Sequence, residues 1–385
     1  LGQSKAMSIH ISTAFDSGNI EVVSAENTAD IQVKIRKDTN SDFLQWFHFK
    51  LTGVREQELA IRILNASETS YSDGWKDYRV CVSYDRHHWF RTDTSYENGE
   101  LKINMFSEHD SVYFAYFTPY SYEAHQDLIG ACQTSGLAEH EVLGTTLQGR
   151  DLDLLTVGEQ MFDEYKVWVI ARQHPGESMA EWFMEGFLAR LLDPDDPVSR
   201  KLVEKAVFYI VPNMNPDGSV LGNLRTNAAG ANLNREWANP SLENSPEVFH
   251  VLNKMDEIGV DLLLDVHGDE EIPFNFISAN EGIPSYTPEM NALEEEFKNF
   301  WASIWPDFQT EHGYEKDEAG KADLRICSNQ IAERFGAVAL TIEMPFKDND
   351  DLPDPAYGWS AERSEKLGSS SLEPILHLLP KLKTS

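Results

Sequence analysis

The chain has 385 residues, room for two domains and a substantial core, with 41% apolar residues and a formal net charge of −32. Such a charge repels nucleic acid and anionic membrane surfaces at long range, and no apolar run approaches the roughly eighteen residues of a membrane span. Three scattered cysteines, Cys81, Cys132 and Cys327, form no disulfide framework, and no charged-then-apolar leader opens the chain, a pattern that predicts a cytoplasmic protein.

From residue 8 to about 117, short alternating segments dominate: SIHISTAF, IEVVSA, IQVKIRK, LQWFHFKL, LAIRIL, YRVCVSY, LKINMF and VYFAYF. Turn signals such as DSGN, SDGW and ENGE separate them. Roughly eight short strands at this interval predict an antiparallel β-sandwich over residues 7–120. Its histidines, including His87 and His88, lack metal-ligand spacing, and the domain is assigned no chemistry.

At TPYSYEAHQD the strand pattern gives way to a helical stretch, which predicts a second domain over residues 121–385. Strands then alternate with helices. TVGE and KVWVIARQ lead to a helix from Glu177, and Asp196 and Pro197 cap a second helix before AVFYIVPN. A loop rich in Asn, Gly and Ala follows, then a helix over 245–258, VDLLLDV, a helical stretch over 288–301 and VALTIE. The alternation predicts an α/β domain whose mixed, mostly parallel sheet is flanked by helices.

Ligands of such sheets gather beyond the carboxyl ends of the strands. Four strands here end in residues suited to metal-dependent hydrolysis: His174, the pair Asn213 and Asn215, His267, and Glu343. Pro175 biases His174 toward extended backbone and places Glu177 in the first turn of a helix, so both side chains can meet one ion. Alone, the pair reads more readily as a turn histidine and a carboxylate at a helix N-terminus. With His267 it becomes two imidazoles and a carboxylate, a zinc set that leaves a position open to water. Glu343, at the end of an apolar strand, is the candidate general base and acid. The flexible, glycine-rich loop over 215–237 offers Arg225, Asn234 and Arg235, suited to gripping a carboxylate and stabilising an oxyanion.

HPGE, NPDG, NLNREW, DVHG and TIE, in this order, resemble the zinc metallocarboxypeptidases of the carboxypeptidase A type. The resemblance is nearest to the cytosolic carboxypeptidase branch, whose members carry a β-sandwich before the catalytic domain and enter the latter through a stretch similar to YFTPYSYEAHQD. It implies one Zn2+ per chain on His174, Glu177 and His267, with Glu343 as general base and acid. Asn234 and Arg235 would hold the substrate's terminal carboxylate, Arg225 would polarise the scissile carbonyl, and Tyr314 would close over the substrate. Members that remove glutamate use a basic pocket residue, for which Lys321 and Arg325 are the candidates. The expected activity is removal of one residue, preferably acidic, from the C-terminus of a peptide or protein tail. The alternatives are a zinc amidohydrolase or deacylase acting on small acylated amino acids, and a non-catalytic binding protein whose sandwich recognises a partner.

Overall fold

The computed structural model describes residues 8–159 and 164–382. Ten strands precede the first α-helix among the described residues: β1 (His10–Ser12), β2 (Glu21–Ser24), β3 (Ile31–Lys34), β4 (His48–Thr52), β5 (Gln57–Ile63), β6 (Cys81–Ser83), β7 (Phe90–Arg91), β8 (Asp93–Glu97), β9 (Glu100–Ser107) and β10 (Ser111–Ala115). They form two five-stranded sheets, β1-β4-β10-β6-β7 and β2-β3-β5-β9-β8. Pairing is antiparallel except between β3 and β5. The two strands absent from the sequence expectation, β7 and β8, read FR and DTSYE; they are too short or too polar to show alternation and exist because β6 and β9 supply partners.

Ser121 caps α1 (Tyr122–Thr134) by accepting the Ala124 N–H at 3.0 Å, and β11 (Ala138–Thr145), β12 (Asp151–Val157) and β13 (Tyr165–Ala171) follow. Next come α2 (Met179–Leu191), α3 (Pro197–Lys205), β14 (Ala206–Val211), α4 (Pro216–Leu221), α5 (Pro246–Ile258), β15 (Leu262–Asp269), β16 (Phe276–Ser278), α6 (Pro288–Ile304), α7 (Cys327–Phe335), β17 (Val338–Pro345), α8 (Ala361–Ser370) and α9 (Leu372–Leu378). The seven-stranded sheet has the order β11-β12-β14-β13-β15-β17-β16. Its centre, β14-β13-β15-β17, is parallel, and the flanking β11, β12 and β16 are antiparallel. The central strands are buried on both faces, which is why they read as unbroken apolar runs. β11, by contrast, is a mostly exposed edge with the sequence AEHEVLGT, and its polarity hid it. No described helix is long and apolar enough to cross a membrane.

One apolar cluster runs through both halves of the molecule, from Phe47, Trp75 and Tyr116 of the sandwich to Phe346 and Trp359 beyond β17. Tyr116 stacks on Phe346 with ring centroids 4.4 Å apart. Arg91, at the end of β7, donates to the carbonyls of Phe346 and Trp359 at 2.7 and 2.8 Å. The sandwich is therefore welded to the sheet by shared burial and by satisfied backbone acceptors.

A buried polar chain crosses the start of the second half. His125 on α1 meets Glu181 of α2 at 2.9 Å through Nδ1 and Asp153 of β12 at 2.8 Å through Nε2. Arg172 reaches the other oxygen of Glu181 at 3.0 Å, and the rim residue His140 reaches the other oxygen of Asp153 at 2.7 Å. The Tyr122 ring stacks near His125 from its own helix. Burial alone would lower the His125 pKa, but the charges and hydrogen bonds of Glu181 and Asp153 carry it up to about 9. A folded-state value above the reference 6.5 means the stabilisation is complete below about pH 6.5 and is lost as pH rises through about 9. On the order of 3 kcal/mol is involved. Urea titrations at pH 7 and 9.5 are expected to show wild type losing this much more stability with rising pH than His125→Gln. Equal losses would show that His125 is not charged in the fold.

Candidate metal centre and cleft

β13 ends at Ala171, and Arg172 then turns the chain with φ +60, a left-handed backbone held by its own guanidinium. Arg172 donates to the carbonyls of Pro175 and Tyr120 at 2.9 and 2.7 Å. The corner is also tied to the loop beyond β14, since Gly176 N–H donates to Leu224 at 2.9 Å, and an added Cβ at Gly176 would press on Leu224 backbone at 3.0 Å. α2 begins at Met179, so Glu177 sits in the turn just before it, not in its first turn as the sequence predicts. Its N–H closes that turn onto the His174 carbonyl at 3.1 Å.

His267 and Glu343 were expected at strand ends. They lie directly opposite each other inside β15 and β17, because the parallel ladder continues two residues further, to Asp269 and Pro345. The other predicted strand-end pair serves the backbone. Asn213 accepts from Asn215 N–H at 2.7 Å, and Asn215 caps α4 through Gly218 N–H at 3.0 Å.

His174, Glu177 and His267 are buried, and their candidate ligand atoms all lie within 4.8 Å of one another. The hydrogen-bond pattern shows which atoms face inward. Asn232 Oδ1 accepts from Asn234 N–H at 3.1 Å, so the His174 Nε2 at 2.9 Å from that oxygen carries the proton. His174 Nδ1 is left with a lone pair, 2.7 Å from Glu177 Oε2. His267 repeats the arrangement: Nε2 faces the Asp265 carboxylate at 2.8 Å, and Nδ1 faces Glu177 Oε1 at 3.0 Å. With both rings neutral, two imidazole lone pairs oppose the two oxygens of one buried carboxylate, and a shared cation makes those contacts attractive. Burial opposes charge on His267, but Asp265 and Glu177 raise its pKa well above the ordinary value, so a proton on Nδ1 satisfies that contact when no metal is bound. Burial pushes His174 down to about 4, toward the neutral form that binds metal. The donor set fits zinc.

Behind the ligands, Gln173 donates to Asp265 at 2.7 Å and accepts from Trp237 Nε1 at 2.8 Å. Asp265 and Asn232 orient the two imidazoles from outside, and both escaped the sequence reading. Asp265 was legible, two positions before His267 on the same strand face; Asn232 carried no local signal.

Glu343 is buried, and its Oε2 has no partner among the described residues. Burial, reinforced by the charges of Glu177, Asp269 and Asp265 and opposed by His267, holds its carboxyl well above the usual range. Phe276 pairs with Glu343 across β16, and the Tyr314 ring meets Phe276 edge-on at 4.9 Å. The Tyr314 hydroxyl donates to Asp269 at 2.5 Å. Tyr314 as a whole is 47% exposed, and packing around its hydroxyl, with the charges of Glu343 and Asp269, raises that group's pKa well above its ordinary value.

The loop over 215–237 is far more ordered than its composition suggests. α4 and a single 3-10 turn over Leu233–Arg235 occupy it, and Asn223, Leu224, Thr226 and Asn227 are buried. The Arg225 guanidinium lies 5.6 and 5.4 Å from the ring centres of Phe43 and Tyr71, two sandwich residues, and its buried Nε has no partner among the described residues. Burial works against its charge, while Tyr71, Glu270, Glu177 and Tyr314 sustain it. Asn234 Oδ1 accepts Cys327 N–H at 2.9 Å, which leaves the amide NH2 to donate. Arg235 bonds the Asn234 carbonyl at 2.8 Å and approaches Asp323 at 3.9 Å. Arg325 is exposed and forks onto Asp323 at 2.7 Å, and Lys321 is exposed. Glu270, which the sequence reading passed over, is a buried carboxyl whose Oε1 has no partner among the described residues, raised by burial and by Glu177.

Residues 11–117 match the cytosolic carboxypeptidase N-terminal domain, and residues 130–357 match zinc carboxypeptidase. A protein of uncharacterized function from Zymomonas mobilis is 50% identical over 98% of this chain and 99% of its own length. The solved metallo-carboxypeptidase from Pseudomonas aeruginosa, in complex with (2-guanidinoethylmercapto)succinic acid, is 46% identical; the match covers 97% of this chain and 99% of that one, with a TM-score of 0.95. Mouse cytosolic carboxypeptidase 6 is 29% identical over 72% of this chain, which spans 56% of that protein. Built on a mixed sheet that brings two imidazoles and a glutamate together, with a β-sandwich ahead of it, the chain belongs to the zinc carboxypeptidase family and is a metallocarboxypeptidase.

Proposed function

We propose that this protein removes single residues from the C-termini of peptides or protein tails, with an acidic last residue preferred, using one zinc ion held by His174, Glu177 and His267. The observation that carries the reading is the pair of imidazole lone pairs facing the Glu177 carboxylate, next to the strand position of Glu343. The chemistry belongs to residues 121–385, behind a sandwich over 7–120. A cytoplasmic location accords with three cysteines that are all buried and unpaired.

Zinc, when bound, would lower the pKa of a water to about 7 and polarise a carbonyl oxygen. Glu343 takes the proton from the attacking water and delivers it to the departing amine. Its burial suits it to hold that proton between the two transfers. Arg225 donates from its guanidinium to the carbonyl oxygen as negative charge develops there. Asn234 and Arg235 grip the terminal carboxylate, which fixes the scissile bond one residue from the end. Tyr314, steadied by Asp269, covers the bound residue. An acidic side chain competes with Asp323 for Arg325, with Lys321 adding charge nearby. The (2-guanidinoethylmercapto)succinic acid in complex with the Pseudomonas aeruginosa protein carries two carboxylates, in keeping with a site that grips a carboxylate, and a guanidino group that does not by itself favour an acidic pocket.

Amino-acid release from peptides differing only in the last residue tests this directly. Zinc-loaded wild type is expected to release acidic residues fastest, and Glu343→Gln to be slower by roughly 100- to 10,000-fold with its zinc retained. No release from any peptide, with hydrolysis of acylated amino acids instead, would establish the amidohydrolase. Arg325→Ala with Lys321→Ala is expected to erase the preference for acidic ends while sparing neutral ones; an unchanged preference would remove both residues from the pocket. Asp265→Asn is expected to weaken zinc roughly 10- to 100-fold in competition with a chromogenic chelator, and unchanged affinity would mean that Asp265 does not orient His267.

A further inference from the structure

Arg225 stands on a loop of the catalytic half that bonds to Gly176, Asn244 and Glu247 of its own domain, yet the sandwich holds the backbone on both sides of Arg225. Asp38, between β3 and β4, is 4% exposed. Its carboxylate accepts four hydrogen bonds from three consecutive residues: Leu224 N–H at 2.7 Å, Arg225 N–H at 2.8 Å, Thr226 N–H at 3.0 Å and the Thr226 hydroxyl at 3.1 Å. A carboxylate that gathers three successive N–H groups fixes the backbone around it, because each lost bond would strand a buried donor. Residues beside it extend the grip. Thr39 donates to Asn223 Oδ1 through N–H and hydroxyl at 3.1 and 3.2 Å, and Asn40 donates to the Ala228 carbonyl at 3.0 Å. Gly230, with φ +84, lets the Asn40 carbonyl approach where any Cβ would collide with it. Phe43 and Tyr71 then present their rings to the guanidinium itself.

We infer that Asp38 is a positioning residue for the reaction, and that the sandwich domain, through Asp38, Phe43 and Tyr71, sets where the Arg225 guanidinium stands in the cleft. This rests on the reading of Arg225 as the group that meets the developing oxyanion. The covalent chemistry is untouched by Asp38, which acts through the backbone of residues 224–226. A donor to a developing charge is effective only at the right place, and a misplacement of about 1 Å costs on the order of 100-fold. The sandwich is thus a working part of the active site, whatever else it binds.

A double-mutant cycle on full-length, zinc-loaded protein tests the inference, with a peptide that wild type cleaves. Asp38→Ala and Asp38→Asn are expected to lower kcat on the order of 100-fold while KM and zinc affinity stay within about twofold. In the Arg225→Gln background, Asp38→Ala is expected to cost nothing further, because its effect passes through Arg225. Multiplicative losses in the double variant, or an unchanged kcat in Asp38→Ala beside a severe loss in Arg225→Gln, would overturn the inference alone. A wild-type kcat in Arg225→Gln would overturn the reading of Arg225, and the inference with it. If neither Asp38 variant folds, Tyr71→Leu leaves the Asp38 bonds in place. It is expected to lower kcat about tenfold through loss of one aromatic face, also only when Arg225 is present, and an unchanged kcat would refute the positioning role.

Discussion

Glu177 is a fully buried carboxylate with an imidazole nitrogen facing each of its oxygens. Burying three such groups at one point costs free energy unless a positive charge stands among them, and the rest of the structure holds them in that arrangement. Asn232 and Asp265 take the outer imidazole nitrogens, and Gly268 N–H adds a third contact to the carboxylate at 2.8 Å. Without these partners the rings could rotate, and the lone pairs would not converge.

The sheet delivers the groups to one place. β13, β15 and β17 are adjacent and parallel, so residues far apart in the chain arrive at the same end at the same height. His267 and Glu343 are 76 positions apart and form a direct cross-strand pair, a spacing that the ladder register sets by itself. Glu343, with one oxygen unpartnered among the described residues and its carboxyl held well above the usual range by burial, is suited to take a proton. Charge is managed in the same way around Arg225, whose burial is tolerated because aromatic faces and nearby carboxylates stand where water would be.

The sandwich changes meaning in this light. Its core is continuous with the core under the sheet, through Tyr116 on Phe346, and its loops reach the catalytic cleft through Asp38, Phe43 and Tyr71. A domain with no chemistry of its own can still decide the geometry of another domain's chemistry, provided packing and hydrogen bonds across the interface hold the other domain's loop in one place. The two halves are coupled closely enough for that.

Much was legible along the chain. Apolar runs marked the central strands, Pro175 and the spacing from His174 to Glu177 marked the corner, and the strand rule pointed to His267 and Glu343, because these signals are local and periodic. Polar edge strands such as β8 and β11 were hidden, since their stability comes from a neighbour and not from their own pattern. The glycine-rich loop read as flexible because composition reports intrinsic freedom, while its order comes from tertiary bonds, among them those to a carboxylate 187 residues away from Arg225. Residue types and their order along the chain determined which chemistry was available. Which nitrogen of each imidazole faces Glu177, and which domain holds Arg225 in place, were decided only by tertiary contacts, because hydrogen bonds across long separations leave no trace in local sequence.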